Sequence, residues 1–74
     1  MKNWKVYNEA PAKIVGMPKD EAIRYLSDND CSPWNISNED GETKIIPMNV
    51  QILLRIEKGI VVGASLDGEI YGNY

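Results

Sequence analysis

From Val50 to Glu57 the chain alternates with a period of two: Val50, Ile52, Leu54 and Ile56 on one phase, Gln51, Leu53, Arg55 and Glu57 on the other. A period of two places alternate side chains on opposite faces of a strand, so this segment is predicted to be a strand with one buried face. Lys58-Gly59 follows as a turn, then Ile60-Val61-Val62 as a second strand, Asp67-Gly68 as another turn, and Ile70-Tyr71 as a short edge strand. Upstream, Trp34 and Ile36 alternate with Asn35 and Ser37 ahead of the turn signal Asp40-Gly41. Everything after Pro33 therefore reads as sheet.

One helix is predicted before it, over residues 18–29. Pro18 suits a first helical position, where a missing N–H costs nothing. Asp20 and Glu21 fall in the first turn, where carboxylates complement the positive end of the helix. Ala22, Ile23 and Leu26 make its apolar stripe, and Pro33 bars any extension. In residues 1–13, Trp4 and Val6 suggest a short strand that Asn8 to Pro11 interrupts. The expected fold class is α+β, one helix packed on a small mixed β-sheet. The predicted core is Ile23, Leu26, Trp34, Ile36, Ile52, Leu54 and Ile60, on the shared phase of helix and strands.

Seventy-four residues are expected to make a single domain over 1–74, an N-terminal segment 1–13 followed by a core over 14–71. A chain this short buries only about 60% of its unfolded surface, so its stability is expected to be marginal. The sequence has one cysteine and no histidine, which leaves no intramolecular disulfide, no histidine-based triad, and too few soft ligands for a zinc site. Eight Lys and Arg against eleven Asp and Glu give a net charge of −3, with the basic residues scattered singly. Nucleic-acid binding by phosphate neutralisation is thereby disfavoured. No apolar run has the length of a signal-peptide core or a membrane span, so a cytoplasmic chain is the expectation. Asp28, Asp30, Ser32 and Glu39 imitate part of a calcium loop, but Pro33 stands where that loop needs glycine. Without a glycine-rich phosphate loop or an activated nucleophile, the chain is expected not to be an enzyme and to need no cofactor.

The segment TKIIPMNV, residues 43–50, starts as a strand and then places Pro47 inside its apolar run. Proline cannot donate to a sheet ladder and is confined mostly to edges, bulges and loops. Either this is an ordinary connection between strands or an extended segment offered to a partner.

Four stretches resemble, in order, the potato inhibitor I proteins and their small bacterial and fungal relatives. IVGMPKDEAIRYL resembles the entry into that family's helix, and WNISNEDGE its strand and Asp-Gly turn. IIPMN resembles its reactive loop, and QILLRIEKGIVVGASLDGEI its closing strand and turns. The likeness spans residues 14–70 and implies one helix on a small mixed sheet with an extended loop projecting from it. It also implies a serine-protease inhibitor that binds like a substrate through Ile45, Ile46, Pro47, Met48 and Asn49. Met48 would fill the specificity pocket of a subtilisin- or chymotrypsin-like enzyme, with Asn49 following the scissile bond. Arg55, with Gln51 as the weaker substitute, would support the loop. The competing expectation is a non-enzymatic protein-binding module on the same fold, such as a phage- or bacterium-encoded protein acting on a host factor. It would dock through a sheet edge or the aromatics Trp4, Tyr71 and Tyr74.

Overall fold

The computed structural model describes residues 3–74. Two helices, α1 (Trp4–Ile14) and α2 (Lys19–Asp28), precede five strands: β1 (Trp34–Glu39), β2 (Glu42–Thr43), β3 (Ile52–Glu57), β4 (Ile60–Leu66) and β5 (Glu69–Gly72). The strands form one mixed sheet in the order β2-β1-β3-β4-β5. β1 and β3 are parallel and every other neighbouring pair is antiparallel. The α+β class expected from the pattern is therefore correct, with two helices rather than one.

The first helix corrects the strand read at Trp4 and Val6. Asn3 caps it, its side-chain oxygen accepting from the amides of Lys5 and Val6 at 3.1 and 3.2 Å, which satisfies donors that a helix start leaves open. Its buried residues are Tyr7, Ala10, Pro11 and Ile14. The spacing i, i+3, i+4, i+7 is a helical stripe. Pro11 lies inside the helix and wholly within the core instead of interrupting it. A proline there forfeits one backbone bond, and the burial of its ring with Tyr7 and Ile14 offsets that loss.

The second helix lies where the sequence placed it, buries Ala22 and Leu26, and carries Asp20 and Glu21 in its first turn. Behind it, Cys31 is buried and its amide donates to the Leu26 carbonyl at 2.8 Å. The linker between the helices pairs with the start of β4. Gly16 donates to the Val61 carbonyl at 2.7 Å, and Val61 donates back to Met17 at 2.9 Å. Both helices are thus fastened to one strand.

Three two-residue turns close the hairpins, at Asp40-Gly41, Lys58-Gly59 and Asp67-Gly68. All six residues have positive φ, from 50° to 89°. Positive φ at both central residues matches the right-handed twist of the flanking strands. Glycine supplies that conformation freely at the second position of each.

On β3, Ile52, Leu54 and Ile56 face the helices and are wholly buried. Their neighbours on β4 are Leu66, Ala64 and Val61, also buried. A register shift between Arg55 and Ile56 takes β4 out of strict alternation, so Val61 points inward and Ile60 pairs with Glu57. Ile60 is consequently exposed, at 37%, correcting its place in the predicted core. Leu26, Ile52 and Leu54 are buried as expected. Trp34, Ile36 and Ile23 are only half-buried, because α1 and α2 pack chiefly on β4 and leave β1 towards the rim.

Candidate functional site

The loop over residues 44–51 joins β2 to β3, and therefore spans the two ends of a parallel strand pair. Its first residue is still tied to the sheet, Lys44 donating to the Ser37 carbonyl at 3.0 Å. After that the chain leaves β1. Ile45 is 94% exposed and Met48 90%, with Pro47 also in solvent and Ile46 more sheltered. Isolated exposed aliphatic residues are ordinary, but two nearly bare ones in a single short loop form an apolar projection.

Met48 and Asn49 lie in a turn, and Asn49 has φ of 69°. That left-handed conformation is one asparagine adopts more readily than most side chains. The turn falls at the bond that the resemblance makes the scissile one.

The loop's exit is held from two directions. The Tyr7 hydroxyl on α1 donates to Oε1 of Gln51, and the Gln51 carbonyl accepts from the Asp67 amide at 3.1 Å. The phenol's pKa is raised above its usual value of 10.0, first by burial and then by the charges of Asp67 and Cys31. Tyr7 therefore stays a hydrogen-bond donor across the physiological range. The ring of Trp4, itself 61% exposed, stands edge-on to Tyr7 with centroids 5.5 Å apart. Gln51 is thus bonded on both sides, on one of them by a residue the sequence reading missed. Tyr7 was legible only as part of the helical stripe over residues 7–14, which the apparent strand at Trp4 and Val6 concealed.

Arg55 does not brace the loop. Its guanidinium pairs with the Glu57 carboxylate at 2.9 Å and donates to the carbonyls of Asn73 and Tyr74 at 3.3 and 3.4 Å. Being on the β3 phase opposite the core, it reaches across β4 to the C-terminal segment. The five loop residues and Gln51 are brought together, and Arg55 belongs to another part of the surface.

Between the departing loop and β1 lies an open groove of about 510 Å³, lined by Asn35, Ile36, Glu42, Thr43, Lys44 and Ile45. Lys44 and Glu42 approach to 3.9 Å along it. Elsewhere, Glu39 from the calcium-like pattern is engaged with Lys19 at 2.7 Å. Among the described residues no group of three or more His, Cys, Asp or Glu is placed to hold a metal ion, and no helix is long and apolar enough to cross a membrane.

Compared with models of known families, with curated proteins and with solved structures, the chain matches none.

Proposed function

We propose that this chain is a protein-binding module that docks through the loop over residues 44–50, with Met48 as the anchor. The observation that carries the reading is the near-complete exposure of Ile45 and Met48 on a loop whose exit is fixed by Gln51. A loop held at its base loses less freedom on binding, so more of the contact energy appears as affinity. Methionine is unbranched and polarizable, and fits apolar pockets of varied shape. Burying it contributes about 1.5–3 kcal/mol.

Inhibition of a subtilisin- or chymotrypsin-like protease is the narrower form of the same reading. A mixed sheet with a projecting loop, in the order the family resemblance implies, supports it. Docking as a substrate would require the turn at Met48 and Asn49 to open, whereas docking of the Met48 side chain alone would not.

Two measurements, on the wild-type chain and on variants at Met48, test both forms. Met48→Asp should abolish inhibition of subtilisin or chymotrypsin, since an unpaired carboxylate would be desolvated in the pocket, while Met48→Leu should retain it. A wild-type chain that inhibits neither enzyme rejects the narrower form. If wild-type and Met48→Asp baits also retain the same proteins from extract, in equal amounts, the loop is not the docking surface.

A further inference from the structure

We infer that a second copy of the chain pairs with the outer edge of β5, antiparallel about a two-fold axis at Ile70, so that the two sheets become one. The backbone phase of the last hairpin leaves that edge open. Ser65 and Ile70 are cross-strand partners. On the β3 side the Asp67 amide donates to the Gln51 carbonyl at 3.1 Å. Ser65, two residues back on the same phase, therefore turns its own backbone groups towards β3. On the β5 side the Asn73 amide donates to the Val62 carbonyl at 2.9 Å, in phase with the Ala64–Tyr71 pair. The amide and carbonyl of Ile70 consequently point away from β4, and an outward row of this kind is a template for another strand. The opposite edge of the sheet is guarded: the Ile36 amide donates to the Asn35 side chain at 2.8 Å, and Lys44 covers Ser37. Among the described residues nothing caps Ile70 in that way. Beyond Gly72 the chain folds inward, the backbone of Asn73 and Tyr74 lying over Gly63 of β4 instead of along the edge.

Apolar groups flank the same edge on both faces. Tyr71 shares the helix face with buried Ala64, so Ile70 stands on the other face, where it is 58% exposed. On the helix face, Trp4, Asn8, Pro11 and Val15 follow one row along α1 to its C-cap. Val15 fixes where that row lies, because its Cγ1 is 2.8 Å from a Cβ built at Gly72. The row therefore runs along the β5 side of the helix, with Trp4, 61% exposed, at its far end. A foreign peptide would satisfy the Ile70 backbone but leave this row in water. A second copy brings a strand and a helix together, and a two-fold axis matches each to itself. Ile70 then meets Ile70 of the other copy. The two α1 helices lie antiparallel, with Trp4 of each towards Val15 of the other. No like charges are opposed, since Asp67, Gly68 and Glu69 face Asn73, Gly72 and Tyr71 of the other copy. The ladder is short, which places the interface near the lower limit for specific association, about 1,200 Å² in total. A dimer in exchange with monomer is therefore expected.

Sedimentation equilibrium of the full chain, from micromolar to millimolar concentration, should show monomer and dimer together. In the isotope-labelled chain, concentration-dependent NMR shifts are expected at residues 69–72 and at Trp4, Asn8 and Val15. Hydrogen exchange at the Ile70 amide should slow as concentration rises. Ile70→Pro removes the outward donor without touching a bond to β4, at an edge position where proline is tolerated, and should weaken association about tenfold or more. Trp4→Lys should weaken it too, and circular dichroism confirms that each variant is folded. Because Trp4 is exposed, its variant decides the question if the proline chain does not fold. Met48→Asp should leave the dimer intact, which separates this surface from the loop tip. Three results would each overturn the inference. One is a chain that stays monomeric at every concentration, whether or not its edge takes an extended peptide instead. The others are shifts centred on residues 44–50 or on β1, and association unchanged by the folded variants at Ile70 and Trp4.

Discussion

Substituting Gly63 by alanine tests the packing of the C-terminal segment against the sheet. Gly63 pairs with Arg55 on one side and Gly72 on the other. A Cβ built there would stand 2.6 Å from both the carbonyl carbon of Asn73 and the Cα of Tyr74, and closer still to the Tyr74 amide nitrogen. All three are backbone atoms, so no side-chain rotation relieves the clash, and residues 73–74 must lift. Lifting them breaks the bond from the Asn73 amide to the Val62 carbonyl, 2.9 Å long, a loss of about 0.5–1.5 kcal/mol. The two Arg55 bonds to this segment, at 3.3 and 3.4 Å, are long and add little. Residual overpacking adds about 1 kcal/mol, and alanine's lower unfolded-state entropy returns about 0.4–1 kcal/mol. The net expectation is a destabilisation of about 0.5–2 kcal/mol, which in a domain of this size lowers Tm by about 2–16 °C. Thermal and urea unfolding followed by circular dichroism would measure it. The decisive control deletes Asn73 and Tyr74, because in that background Gly63→Ala should be neutral or slightly stabilising. An equal cost with and without the segment, or no cost in the full chain, would refute the reasoning.

Other perturbations separate the core from its rim and the loop from its support. Leu54→Ala should cost about 2–5 kcal/mol, whereas Ile60→Ala, at an exposed position, should cost less than about 1 kcal/mol on the same urea scale. Tyr7→Phe should cost about 0.5–1.5 kcal/mol near neutrality through the lost Gln51 bond. Because folding raises the Tyr7 pKa above 10.0, its contribution is full below pH 10 and falls as pH climbs from there through the folded value. Lys19, raised by its hydrogen bond to Glu39, and Tyr71, raised by its bond to Glu69, act in the same alkaline direction. The Phe variant should therefore show a shallower loss above pH 10 without abolishing it, and an unchanged alkaline slope would disprove the assignment to Tyr7. Asn49→Val should cost about 1–2 kcal/mol through the left-handed backbone it must adopt, while Asn49→Gly should be tolerated, and matching denaturation midpoints for the two would contradict the turn.

The parts of the fold legible in the sequence are those where local chemistry and tertiary packing agree. Pro18, Asp20 and Glu21 mark the start of α2, and the three X-Gly turns mark the hairpins, because each acts through its own backbone. α1 was hidden because its two outermost apolar residues, Trp4 and Val6, imitate a strand, and Pro11 imitates a break. What decides for helix is the docking of Tyr7, Ala10, Pro11 and Ile14 on a strand some fifty residues away. The inward turn of Val61 follows from a register shift that no local pattern announces. At the candidate site, the odd proline correctly flagged an exposed loop. The partners of Gln51 and Arg55 depended on where α1 and the C-terminal segment came to rest, and spacing along β3 could not supply them.

The fastening of both helices to β4 bears on the order in which the molecule can be made. α1 leaves the ribosome before β4 and β5, yet those two strands build the surface that buries Tyr7, Ala10 and Ile14. An eleven-residue helix is too short to persist by itself in water. During synthesis the amino-terminal third must therefore wait, its aliphatic and aromatic side chains unprotected, while the β3-β4-β5 meander forms from neighbours in sequence. The slow step of folding is expected to be the closure of that long span, and nascent chains halted before Val61 should be the ones that recruit chaperones or stick to one another.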